Sequence, residues 1–178
     1  MRRSRLKGMA ALLAPVMLVT AAHSAAAAAE PPQRIVVFPF EIIIEDTLVG
    51  IPMAQPADVK RLALLTAEIR EMLKASGKYE VVDTTPIAAE IEKMSPFFKC
   101  NACETELAKK VGATLTLTGL VQKGSASAAN ITFGMRDVAT DAFVRTGGIT
   151  VLESSDEGWL RGLRRLVKSR LTEEGAGK

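Results

Sequence analysis

Arg34-Ile-Val-Val-Phe38 carries four apolar side chains in succession. Side chains of an extended chain alternate between faces, so this run is apolar on both and suits a buried central strand. Pro39 has no amide hydrogen to give a ladder, so it marks a bulge or the end of pairing on one side. Phe40 to Ile44 is apolar again. Glu45-Asp46 then leads into a loop through Gly50 and Pro52 to Pro56.

The next segment changes period. From Ala57 to Ser76, Leu62, Leu65, Ile69, Met72 and Leu73 recur at helical steps, with Arg61, Glu68, Arg70, Glu71 and Lys74 on the other face. Gly77 stands where a C-terminal cap is expected. Tyr79-Glu-Val-Val-Asp83 reads as a short strand, and a parallel crossover is the default for such a strand–helix–strand unit. Thr85 and Pro86 open a helix that runs to about Met94. Ser95 to Lys99 is a loop whose two aromatics pack inward, and Cys103 to Val111 is a short helix ended by Gly112. Thr114-Leu-Thr-Leu-Thr118 alternates strictly, as a half-buried strand does. Lys123 to Ala129 is a turn of small residues. Ile131, Phe133 and Met135 then line one face of a strand, and Thr132 and Arg136 the other. After Ala139-Thr140-Asp141 the chain turns back through Phe143 to Leu152, with a bulge expected at Gly147-Gly148. Ser154-x-x-Glu157 is a capping box for a last helix with a stripe of Leu160, Leu163, Val167 and Leu171, Trp159 and Leu166 beside it.

The pattern is α/β (α+β): a two-layer mixed sheet of about five strands packed against helices, in the order β-α-β-α-α-β-β-β-α. The last three strands form an antiparallel meander.

Residues 1–29 read as a signal peptide and 30–178 as one domain with an ordered core at about 34–171. Arg2, Arg3, Arg5 and Lys7 make a positive start, Met9 to Ala22 is apolar, and Ala25 to Ala29 offers small-residue cleavage sites. The apolar run is too short for a permanent membrane span, so the mature protein has no integral membrane segment. No Cys near the cleavage region can carry a lipid. The expected location is periplasmic, by ordinary Sec export, because Arg5 spoils a twin-arginine pattern.

The leader also accounts for the chain's basicity. Of 23 basic residues against 20 acids, four belong to it, leaving 19 against 20. Nothing in that balance suggests a nucleic-acid partner. The single histidine, His23, leaves with the leader too. A mature domain without it has no His general base and no His metal ligand, which removes Ser-His-Asp and Cys-His nucleophiles and most zinc hydrolase sites.

Ile35-Val-Val-Phe-Pro-Phe40, the Tyr79–Asp83 strand after a long helix, and the Ala108 to Gly119 segment resemble the TolB amino-terminal domain and its relatives. Among these are the curli secretion protein and the lipoprotein activators of penicillin-binding proteins. Closer still, the chain is similar to a family of small exported proteobacterial proteins of unknown function, in which Lys99-Cys-Asn-Ala-Cys-Glu104 and Arg136-Asp-Val-Ala-Thr140 have counterparts. The resemblance covers most of residues 34–171. It implies a non-catalytic domain that docks to partners in envelope complexes, and it carries over no catalytic residue. Fold alone does not transfer a function.

Cys100-Asn-Ala-Cys103 is the one constellation able to carry chemistry. Thiols three apart at a loop-to-helix junction can bridge, and an oxidising compartment makes a Cys100–Cys103 disulfide the default. A redox-active pair is the alternative, because a helix N-terminus lowers a thiol pKa. The motif lies deep in the chain after a Pro-containing loop, unlike its place in thioredoxin-like proteins. Two thiolates without His leave a zinc site incomplete, and Glu104 excludes a haem-attachment motif. Glu41, Glu45 and Asp46 lack the spacing of a calcium loop. Arg161, Arg164, Arg165, Lys168 and Arg170 give the last helix a basic face that could meet anionic lipid or an acidic partner, though a near-neutral mature chain favours a solvated face. No cofactor and no metal site is expected.

The function expected is a non-enzymatic periplasmic protein-binding or accessory module of the cell envelope, acting on a protein partner through a sheet edge or exposed loop. A thiol–disulfide protein using Cys100 and Cys103, or a small-ligand binder, are the alternatives. Sequence leaves the oligomeric state open. Intact mass of protein recovered from periplasm should correspond to a chain beginning near Glu30, and a full-length mass would refute the cleaved leader.

Overall fold

A computed structural model of the chain describes residues 31–44 and 54–172. The segment expected to be a signal peptide, the Glu45–Asp46 loop entry and residues 173–178 lie outside these residues.

The first strand, β1 (Gln33–Val37), runs parallel to β3 (Tyr79–Val81) on one side and to β4 (Leu115–Lys123) on the other. It is central, as its two apolar faces require. The second apolar run forms β2 (Glu41–Ile44), which also pairs parallel with β4. Val37 lies opposite Leu117 and Glu41 opposite Leu120, so four steps on one side face three on the other. Pro39 sits in that extra step, where its missing amide costs nothing. The Phe40 amide donates instead to Thr66 Oγ1 at 2.9 Å. This break adds a sixth strand to the five or so expected. β4, β5 (Ala129–Asp137) and β6 (Phe143–Val151) are the antiparallel meander, and the strand order is β3-β1-β4-β5-β6.

Helix α1 (Pro56–Ala75) and helix α4 (Asp156–Val167) cover one face of the sheet in the expected two-layer α+β stack. Leu65, Ile69 and Leu73 from α1, and Trp159, Leu163 and Val167 from α4, bury against Ile35, Val37, Leu117 and Ile131. The short α2 (Ala88–Met94) and α3 (Cys103–Lys110) cover only the β1 end of the opposite face, where Ile87, Ile91, Phe97 and Leu107 meet Val36 and Phe38. Gly77 and Gly112 take the left-handed conformation, at φ +68° and +66°, just past α1 and α3, as their cap positions predict.

Four local expectations change. Thr116, assigned to an open face, is 1% exposed, because α3 covers this part of β4; its hydroxyl has no hydrogen-bond partner among the described residues. The bulge in β6 falls opposite Met135 and Arg136, where Val144 is the extra residue, and not at Gly147-Gly148. The cap of α4 is Ser155, which accepts from the Gly158 amide at 2.9 Å, one residue later than the capping box implied. Ser154 accepts from Arg61 instead. Arg61 itself, placed on the solvent face of α1, is tucked between the helices, with Nε 3.0 Å from Asp156, Nη1 3.2 Å from Asp58 and its guanidinium 5.5 Å above the Trp159 ring.

Leu65 is wholly buried, so Leu65→Ala should cost roughly 2–5 kcal/mol in denaturant unfolding. Lys74→Ala, on the exposed side of the same helix, should stay within about 0.5 kcal/mol of wild type.

Candidate functional site

Beyond α2 the chain turns through Phe97–Lys99 and reaches the two cysteines at the start of α3. Phe97 is buried with its ring centroid 4.6 Å from that of Phe38, whereas Phe98 is 40% exposed. One aromatic of the pair therefore packs inward, and the other stands at a rim. Glu41, at the start of β2, fixes this loop by accepting from the amides of Phe97 (2.7 Å) and Phe98 (3.2 Å). Burial pushes its carboxyl above the ordinary value despite those two bonds. Its oxygens are thus committed to the loop, which accounts for it without the weakly suggested cation site.

The Cys100 and Cys103 sulfurs sit at disulfide distance, with Cα atoms 5.9 Å apart. Both residues are half-buried against the smaller core. Ala102 between them takes φ +62°, which brings the chain into α3 within the span of the pair. The two sulfurs and a Glu104 oxygen lie within 4.8 Å of one another. Bonded sulfurs offer no thiolate, and Glu104 is engaged elsewhere, so three donors of this kind fall short of a zinc centre.

Glu104 is what ties this loop to the sheet. Its carboxylate is 3.0 Å from Nε of Arg136 on β5. Arg136 Nη1 donates to the Asp141 carbonyl at 2.6 Å, and the guanidinium lies 3.6 Å from the Phe143 ring centroid. Asp137 organises the intervening turn by accepting from the Ala139 and Thr140 amides and the Thr140 hydroxyl, and these bonds hold its carboxyl below the ordinary range. The two segments singled out by resemblance, Lys99–Glu104 and Arg136–Thr140, are therefore joined by one ion pair. Neither Glu104 nor Arg136 was a candidate site residue from sequence. The only signal was their place inside those two segments.

Between the cysteine loop and the uncovered face of β4–β6 lies an open cleft of about 300 Å³. Phe98 and Phe143 stand at its walls, and Thr118, Thr132 and Thr146 at its floor. Gly134 lets the Phe143 ring lie flat there, since a Cβ would come within 2.6 Å of it. The cleft opens onto β6, a nine-residue edge strand whose Phe143 and Val144 are 54% and 48% exposed.

Residues 33–171 match the model of family DUF3280, described as "Protein of unknown function (DUF2380)". The chain belongs to this family. The DUF3280 chain matches no curated protein. Among solved structures it is similar to the LpoB C-terminal domain from Salmonella enterica, at 16% identity and a TM-score of 0.50, over 69% of this chain and 84% of that one. It is also similar to the lipoprotein GNA1162 from Neisseria meningitidis, at 15% identity and a TM-score of 0.50, over 70% and 84%. At such identities the likeness is one of fold, and it agrees with the TolB-like order of strands and helices and with the family expected from sequence. Among the described residues of the DUF3280 chain, no helix is long and apolar enough to cross a membrane.

Glu104 is 4% exposed, so Glu104→Ala leaves the Arg136 charge enclosed without its counter-ion. The cost should be about 3 kcal/mol in chemical denaturation. A Glu104→Met/Arg136→Met double variant should lose less than the two single variants combined, because it leaves no uncompensated charge.

Proposed function

We propose that the mature chain is an exported, non-catalytic protein-binding module of the cell envelope that receives its partner at the β6 edge and the adjoining Phe98–Phe143 cleft. The β6 edge carries this reading. A long strand with one unpaired side is a template for another chain, and soluble proteins ordinarily blunt such edges with covering elements, proline or charge. Here nine residues hold no proline and one charged side chain, Arg145, and Phe143 and Val144 stand exposed at one end. Likeness in fold to the lipoprotein GNA1162 and the leader read from sequence support the setting, and a mature sequence without histidine supports the non-catalytic reading.

Cys100 and Cys103 serve in this reading as a structural bridge that shapes the cleft's rim. A catalytic dithiol needs a stabilised thiolate. Glu104 beside the sulfurs, with Glu41 close enough to Glu104 to feel its charge, opposes an added negative charge there.

A photo-crosslinker at Val144 should capture a partner protein in the periplasm, and one at Glu92 on α2 should not. Thr146→Pro, which removes an edge amide, should abolish the crosslink, while Thr146→Ala retains it. The Cys100→Ser/Cys103→Ser variant should fold and still crosslink. Equal capture at Glu92, or capture that survives Thr146→Pro, would overturn edge docking. Capture lost in the folded double Ser variant, together with thiol-exchange activity in wild type, would establish the redox alternative.

A further inference from the structure

The β6 edge lies beside cations that have no counter-ion among the described residues. On α4, Arg161 pairs with Glu153, and Arg164 pairs with Glu68 and Glu157. Arg165 and Arg170 make no ion pair with any described residue. Both line a shallow cleft of about 180 Å³ between β6 and α4 with the helical turn Lys168–Thr172 that continues it, together with Gly148, Ile149, Leu166 and Ser169. The small residues of β6 bring the two elements this close: a Cβ on Gly147 would stand 3.0 Å from Leu166 Cδ1 and 3.2 Å from Arg170 Cγ.

The backbone on that edge is also open. The Val138 amide donates to the Thr114 carbonyl, so even-numbered residues of β5 turn their amides and carbonyls toward β4, and odd-numbered ones toward β6. By the β5–β6 register, Arg145, Gly147, Ile149 and Val151 face β5. Thr146, Gly148 and Thr150 therefore present their amides and carbonyls outward.

We infer that β6 takes up an extended acidic segment of a partner protein as an added strand. Its backbone pairs with Thr146, Gly148 and Thr150, and its carboxylates fall on the α4 side against Arg165 and Arg170. This rests on the reading that the partner docks at β6 and names its chemistry. Successive side chains of a strand point to opposite faces, so residues between the acids fall on the open side beside Phe143 and Thr146, where apolar groups fit. A second copy of this chain is the poorer occupant. Antiparallel pairing of two β6 strands about a two-fold axis would set the Arg165 and Arg170 pairs of both copies along one seam, like charge against like.

The test uses the full mature chain and synthetic peptides of about ten residues that alternate Glu with Val and Thr. A Lys-for-Glu counterpart and anionic phospholipid vesicles are run beside them. The acidic peptide should bind by fluorescence anisotropy and slow hydrogen exchange at the Thr146, Gly148 and Thr150 amides. Affinity should fall roughly tenfold in an Arg165→Glu/Arg170→Glu variant and on raising salt from about 0.05 to 0.5 M. If the Lys peptide protects those amides equally, the acidic chemistry is wrong and edge docking stands. If the acidic peptide or the vesicles bind without protecting them, the arginines are a general anion patch and the added strand is refuted. Protection of those amides in the protein alone, with a dimer in sedimentation, identifies a second copy and refutes the acidic partner. No binding by any peptide refutes this inference, while the Val144 crosslink separately decides whether a partner uses the edge.

Discussion

Ile35, Val36, Val37 and Phe38 are each wholly buried, and they point alternately to the two sides of the sheet. Full burial of such side chains contributes about 1.5–3 kcal/mol apiece, but only if both sides are covered. The rest of the architecture answers that demand. α1 and α4 supply the cover for Ile35 and Val37, and the α2–α3 pair with Phe97 supplies it for Val36 and Phe38. With α3 held at that end, Glu104 comes to Arg136, and the cleft forms where helical cover stops. The cleft's position is a by-product of how far the second layer extends.

Two acids, Asp58 buried and Glu41 half-buried, show how this frame manages charge. Burial pushes the Asp58 carboxyl up, but bonds from Lys123 at 2.8 Å and the Gln55 amide at 3.2 Å, with Arg61 nearby, outweigh it and hold the group below its ordinary value. Asp58 thereby fastens the start of α1 to the far end of β4, and through Arg61 and Asp156 to the start of α4. Glu41 meets amides and, among the described residues, pairs with no cation, and there burial prevails. The first acid joins helices to sheet as a charge, and the second joins a loop to the sheet by accepting hydrogen bonds.

What was legible in the sequence is what depends on period. The stripe of Leu65, Ile69 and Leu73, the alternation of Ile131, Phe133 and Met135, and the caps at Gly77 and Gly112 are local signals of local geometry. Arg61 defeated that reading because its side-chain surroundings belong to another helix, ninety-odd residues on. Thr116 defeated it because cover from α3 is a tertiary event. The Gly147-Gly148 pair resembles a bulge signal, but Gly147 answers to the closeness of Leu166 and Arg170, and Gly148 to Thr132 on the neighbouring strand. The Glu104–Arg136 pair spans two elements that no spacing rule connects. The Cys100–Cys103 approach was readable because it lies within one turn.

The extra residue around Pro39 has a consequence for how this chain can change. Val37 faces α1 and α4, and uninterrupted alternation would turn Phe40 toward α3 and Glu41 toward the helices of the main core. One added residue inverts the phase, so Phe40 enters the main core and Glu41 reaches the cysteine loop. A substitution here alters one side chain. Loss of a single codon would exchange inside for outside along all of β2, driving an acid into the core and a phenyl ring out of it. Over evolutionary time, the segment from Val37 to Glu41 should drift in composition far more freely than in length.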